Sequence, residues 1–177
     1  MKRYYLLIAS VLVLGASCSG PGKNGQTEMT VQDSIVSMEN SLFNDSGTQI
    51  KRADAVKLID LYKKYAKENP QDSLAPVYLF RAADISMNIQ RPVRTIALFN
   101  KIMTEYPDYE KVSSIMFLKA FVYEDQLHDL DKAKRYYEEF LEKYPESDFA
   151  DDAEVSLKNL GKTPEELIKE FEENNEQ

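Results

Sequence analysis

The sequence has one cysteine, one histidine and no tryptophan in 177 residues, and each shortage removes a class of chemistry. The single Cys, at position 18, has no second thiol to pair with. A domain downstream of it must therefore be held by packing, even in an oxidising compartment. One His excludes a Cys-His nucleophile pair, a zinc cluster and an HExxH helix. A Ser-His triad would have to use His128, which falls in a stretch that reads as a turn. Glycine and proline number 6 and 7, and several of them lie before Gln26, so long uninterrupted helices are permitted over most of the chain. Basic residues are outnumbered, 22 against 30 acids, for a net charge of −8. Loss of Lys2 and Arg3 with a cleaved leader makes that balance more negative by two. Such a surface repels phosphate, and Lys63-Lys64 and Lys132, Lys134 and Arg135 are diluted by nearby acids, so nucleic acid is not expected as a partner. An apolar run of the roughly 20 residues that span a bilayer is also missing.

What is present begins with a leader. Lys2 and Arg3 precede an apolar or weakly polar stretch from Tyr4 to Gly15, about a dozen residues, followed by the small residues Ala16 and Ser17 and then Cys18. This stretch resembles a bacterial lipoprotein signal with a lipobox, here Gly15-Ala16-Ser17-Cys18. The resemblance implies cleavage after residue 17, lipidation of the Cys18 thiol and attachment to an envelope membrane, expected to be the outer membrane facing the periplasm. Two or more acyl chains give stable attachment, because each buried CH2 contributes about 0.8 kcal/mol. An ordinary secretory signal that contains a Cys is the alternative. Residues 18–30 are rich in Gly, Pro and polar residues and lack periodicity, which predicts a flexible tether. Residues 31–177 are the expected folded domain.

That domain reads as helices throughout. Hydrophobic residues are 43% and aromatics 11% of the chain, enough for a core and too much for a wholly disordered segment. Val31, Ile35, Met38 and Leu42 recur on one helical face. A loop at 44–48 separates this helix from a second, expected from Gln49 to Asn69 and stopped by Pro70. Further helices are predicted from Ser73 to Met87, from Pro92 to Tyr106, from Lys111 to Glu124, from Leu130 to Tyr144 with Asp129 as cap, and from Ser147 to Leu160. Thr163, Pro164 and Glu166 write a helix start: a cap, a proline at the first helical position and a capping-box acid. The last helix runs into an acidic tail at 172–177.

Three helix ends share an aromatic-Pro-acid style of turn, at Tyr65 to Pro70, Tyr106-Pro107-Asp108 and Tyr144-Pro145-Glu146. Pro70, Pro107 and Pro145 are almost evenly spaced, and the interval leaves room for two helices and two turns. A helix pair leaves an apolar face bare, so such units must stack. Phe117, Ala120, Phe121, Ala133, Tyr137, Phe140 and Pro145 together resemble a tetratricopeptide repeat. Leu79, Ala82, Ala83, Thr95, Phe99, Ile102 and Pro107 resemble the unit before it. The resemblance covers about residues 50–175. It implies an all-α fold, a right-handed superhelical stack of antiparallel helix pairs, and a non-enzymatic role in binding other proteins. With the lipobox and an interval slightly longer than the usual repeat, the chain is distantly similar to the outer-membrane assembly lipoproteins.

In that architecture the first helix of each pair lines the inner face. The expected partner-binding residues are therefore Phe80, Asp84, Met87 and Asn88 in one unit and Leu118, Val122, Asp125 and Gln126 in the next. Some tetratricopeptide domains grip a C-terminal carboxylate with Lys and Asn; the matching places here hold Phe80 with Asp84 and Leu118 with Val122, which disfavours that clamp and suggests an apolar groove for an envelope protein or peptide. His128 lies beside Asp125, Asp129 and Asp131. A metal reading of that group is outweighed by Asp129 acting as a helix cap, so no metal, cofactor or catalytic residue is expected. Adjacent acids such as Asp151-Asp152 and Glu165-Glu166 diverge on a helix and do not form a glycosidase pair. The rival function is an accessory to an envelope or cell-wall glycan-processing enzyme complex, which would need a deep pocket of convergent acids. Self-association through an uncapped repeat end is a further expectation.

Overall fold

A computed structural model describes residues 29–43 and 51–175. The leader, Cys18, most of the tether and the 44–48 loop lie outside the described residues. Among these residues there are eight α-helices and no strand: α1 (Val31–Phe43), α2 (Arg52–Glu68), α3 (Leu74–Asn88), α4 (Pro92–Glu105), α5 (Val112–Phe121), α6 (Leu130–Lys143), α7 (Ala150–Asn159) and α8 (Pro164–Asn175). A short π-helix, Val122–Gln126, follows α5 directly. From α1 to α7, each helix packs on the next in sequence. The chain is therefore an α-solenoid of helix pairs.

Local chemistry sets the helix ends. At α1, Asp33 N donates to Thr30 Oγ1 at 3.1 Å while Thr30 N donates to Asp33 Oδ2 at 3.1 Å. At α8 the same reciprocal box joins Thr163 and Glu166, as their spacing predicts. The second helix of each of the first three pairs stops in one common geometry. Asn69, Tyr106 and Tyr144 have φ of −129°, −135° and −134° with ψ of 59°, 59° and 55°. Each precedes a proline, whose ring drives the preceding residue out of the α region. Each also donates its N–H to the carbonyl four residues back at 2.8 Å. The even spacing of the prolines is thus a repeat of backbone conformation.

The turns inside the pairs repeat as well. Gln90 and His128, one repeat interval apart, both take the left-handed conformation, with φ of 56° and 53°. Arg91 N donates to Ser86 O at 2.9 Å, the long closing bond of a Schellman cap, whose left-handed position is normally glycine. His128 therefore serves the backbone of a turn. Among the described residues no group of three His, Cys, Asp or Glu side chains is placed to hold a metal ion.

The main departure from expectation is in α5. The predicted continuous helix from Lys111 to Glu124 ends as an α-helix at Phe121 and continues as the π turn, with Leu127 N bonded to Val122 O at 3.1 Å. A π turn takes about one extra residue per turn, so every side chain beyond Phe121 is rotated from its α-helical bearing.

Two apolar clusters meet at α5. Ile115 and Val122 belong to the first, with Ile35, Leu58, Leu79, Phe99 and Ile102. Met116 and Ala120 belong to the second, with Tyr137, Phe140 and Ala153. Ala82, Ala83, Ala120 and Ala133 are fully buried, where a larger side chain would hold the helices apart. Phe99 and Phe140 are also fully buried, and truncating such a ring to Ala costs about 3–5 kcal/mol.

The left-handed turns yield a test. A non-glycine residue there costs about 1–2 kcal/mol, against about 0.5–1 kcal/mol for the extra unfolded-state freedom of glycine. Both side chains are exposed, so little contact is lost. Gln90→Gly and His128→Gly are each expected to raise stability by about 0.5–1 kcal/mol in urea unfolding. A loss of stability would show that the side chain itself supports the turn.

Candidate partner-binding site

The first helices of the second and third pairs, α3 and α5, carry the residues singled out from the sequence, and the structure sorts them by exposure. Asp84, Asn88 and Asp125 are exposed; Phe80, Met87, Leu118 and Gln126 are half-buried. Val122 is fully buried in the first apolar cluster, so it is a core residue and not part of a binding face. It stands seven residues after buried Ile115, two helical turns on, and shares that inward face. Phe80 and Leu118 also pack against that cluster. Phe80 is braced edge-on by Tyr109, with ring centroids 6.4 Å apart, and has Lys111 Nζ at 5.8 Å. Gln126 bridges the two units by donating Nε2–H to Met87 O at 3.2 Å, which leaves its buried Oε1 without a partner among the described residues.

The surface left exposed is more polar than expected. On α3 it consists of Arg81, Asp84 and Asn88, three and four residues apart on one face. On α5 and the π turn after it, it passes through half-buried Leu118 to Phe121 and Asp125. Phe121, which the helical reading placed in the repeat pattern, is 37% exposed and gives this stripe an aromatic anchor. Asn88 Nδ2 donates to Asp84 O at 2.9 Å and Oδ1 at 3.3 Å, which holds the two side chains together.

Buried tyrosines fix the helices behind this face. Tyr62 Oη donates to Glu39 Oε1 at 2.5 Å, and Arg81 Nη1 donates to the same oxygen at 2.7 Å. These bonds tie α1, α2 and α3 together. Tyr78 stacks on Tyr62 at 5.1 Å and meets Tyr65 edge-on at 4.8 Å. At the corresponding place in the third pair, Tyr137 Oη donates to Glu124 Oε2 at 2.8 Å. Burial first, and then the bonded glutamate, pushes both hydroxyls far above the usual tyrosine value, with Ser156 opposing the shift at Tyr137.

Sequence reasoning missed a second constellation. Lys119 is only 7% exposed, and its Nζ lies 3.9 Å from the centre of the Tyr136 ring. Tyr136 stacks on Tyr123 at 5.3 Å, with Arg135 and Lys132 over the two rings. Burial alone would raise the Tyr136 hydroxyl, but Lys119 and Arg135 outweigh it and hold it below the usual tyrosine value. The available signal was one lysine inside the apolar run from Ile115 to Tyr123. A ring face suits such an ammonium because its stem packs in apolar surroundings while its charge meets the π system.

Two clefts open at the Pro turns. One, about 660 Å³, lies between the start of α3 and the turn from Glu105 to Glu110; the other, about 520 Å³, lies between Ser113 and the turn from Lys143 to Asp148. They are copies of one feature, since both follow from the repeated turn.

The tetratricopeptide repeat family model matches residues 115–147, which are most of α5, the π turn, α6 and the Pro145 turn. The chain therefore contains a tetratricopeptide repeat, typically a non-catalytic interaction module. No curated protein matches the chain.

The tyrosine bonds predict a pH response. A folded-state pKa raised above the unfolded value gives stability that is complete below about pH 10 and lost as pH rises further. Alkaline unfolding should therefore begin above about pH 10, and a Tyr62→Phe, Tyr137→Phe variant should lose less stability there than the parent. At neutral pH, Tyr62→Phe should cost about 0.5–1.5 kcal/mol, because Arg81 still serves Glu39. Tyr137→Phe, which leaves half-buried Glu124 without that donor, should cost about 1–3 kcal/mol. Urea titrations at neutral and at strongly alkaline pH check both.

Proposed function

We propose that this tetratricopeptide-containing chain is an interaction scaffold of the bacterial envelope, anchored by lipid on Cys18 and engaging a protein partner along the first helices of its pairs. The observation that carries the reading is the matched repeat with exposed side chains on each of two first helices, Asp84 with Asn88 and Phe121 with Asp125, that packing between units does not consume. Phe121 supplies apolar contact, and the flanking charges select the partner and its orientation. Support for the anchor comes from the leader sequence, in which Cys18 follows small residues at the end of an apolar run. A tether of about a dozen residues would let the repeats stand off from the membrane.

Anchor and binding face are tested separately. Cys18→Ser should move the protein from the detergent-extracted membrane fraction to the soluble fraction; retention in the membrane would overturn lipid anchoring. Photocrosslinkers at Asp84 and Asp125 in native envelopes should capture one discrete partner, whereas one at Glu138, exposed on α6, should not. Phe121→Asp should lower capture about tenfold or more, equivalent to about 1.4 kcal/mol. Equal capture from all three positions would remove this face as the site.

A further inference from the structure

The three Pro turns share a backbone, but their charges differ. The last turns of α2 and α6 each carry a lysine, Lys67 and Lys143, whereas the last turn of α4 carries no basic residue. A helix C-terminus presents unpaired carbonyls and partial negative charge, which a cation there offsets. At the end of α4, Glu105 stands one repeat interval before Lys143 and takes its place. Glu105 is met by Lys101 at 2.5 Å. Asp108 and Glu110, just beyond, are exposed and pair with no basic side chain among the described residues.

This end of α4 opens on the cleft of about 660 Å³ at the start of α3, a size within the range of about 300–1,000 Å³ typical of binding pockets. Leu74, Val77, Tyr106 and Tyr109 line it, and all four are half-buried, so apolar surface is reachable there. Asp108 and Glu110 belong to the same lining. Their charge reaches the rings. Burial first, and then Glu110, raises the Tyr109 hydroxyl above its usual value, as burial and Glu105 do for Tyr106, with Arg81 and Lys101 opposing. The start of α3 is already served, since Leu74 N donates to Asp72 Oδ1 at 2.8 Å. The corresponding cleft at Pro145 has Lys143 and Ser147 where this one has Glu105 and Tyr109. It lacks the second ring and part of the negative charge.

From this reachable apolar lining beside unpaired carboxylates and an uncompensated helix end, we propose that the cleft between the start of α3 and the Pro107 turn docks a segment of a partner protein in which an aliphatic side chain is flanked by basic residues. The aliphatic group enters between Leu74 and Val77 and the two tyrosine rings, and the basic groups meet Asp108 and Glu110. Such groups also supply the cation that α2 and α6 carry for themselves. A second copy of this chain, with net charge −8, brings the wrong sign. Asp84 and Asn88 lie toward the other end of α3, so this surface is separate from the face of the first helices and does not depend on it.

An amide chemical-shift titration of the full chain in detergent tests this, with the acetylated and amidated tripeptide Arg-Leu-Arg as probe. Shifts at Val77, Tyr106 and Tyr109 should saturate together, while those of Asp84 and Asp125 stay in place. Arg-Ser-Arg, of equal charge, should bind at least tenfold more weakly, and Glu-Leu-Glu should not bind. A cleft variant, Asp108→Lys with Glu110→Lys, should lose at least tenfold in affinity for Arg-Leu-Arg. A control of equal charge change at exposed positions elsewhere, Glu154→Lys with Glu172→Lys, should keep the parent affinity. All four substitutions are at exposed positions, so both variants should keep the parent's helical circular dichroism. Absence of saturable shifts at the cleft would overturn the proposal. So would equal binding of Arg-Ser-Arg or Glu-Leu-Glu, or a loss of affinity in the control as large as in the cleft variant.

Discussion

A pair of antiparallel helices cannot enclose its own apolar residues, and every other feature of this chain follows from covering the face that each pair leaves bare. Tyr62, Phe99 and Tyr137 occupy the same place in successive second helices and are all buried. Each is enclosed only because the neighbouring helices close over it. The hydroxyls on Tyr62 and Tyr137 bring a polar group into that interior, and each is met by a glutamate, Glu39 or Glu124. Where the ring is Phe99, no such partner is needed. The interior is therefore a series of similar joints, with no single centre.

Stacking of this kind demands that each pair leave at a fixed angle, and the turns supply it. Proline after Asn69, Tyr106 and Tyr144 stops the helix and sets the preceding residue in nearly the same conformation each time. Gln90 and His128 accept the left-handed conformation inside the pairs, at a cost that the surrounding packing offsets. The lone histidine, which invites a chemical reading beside three aspartates, is explained by this backbone requirement.

The π turn is where packing and surface trade against each other. By widening the helix after Phe121 it brings Glu124 onto Tyr137, Gln126 onto the Met87 carbonyl and Tyr123 onto Tyr136. The Glu124 and Tyr123 contacts join the two halves of the third pair, and the Gln126 bond links that pair to α3. Val122 faces inward with Ile115, seven residues before it, and Phe121 and Asp125 are left as outward residues of this segment.

The sequence by itself determined the all-helical class, the pairing and the period, because prolines, capping residues and apolar spacing act within a few residues of where they stand. It also located the turn at Pro145 and the box at Thr163 to Glu166, since both are local hydrogen-bonding arrangements. Only the tertiary structure decided which residues face out. The bearing of a side chain beyond Phe121 depends on a change in helix type stabilised by contacts with α3 and α6, which no window of sequence displays. The same holds for charge: Lys119 stands alone in an apolar run. Its seating on a ring appears only when separate helices are brought side by side.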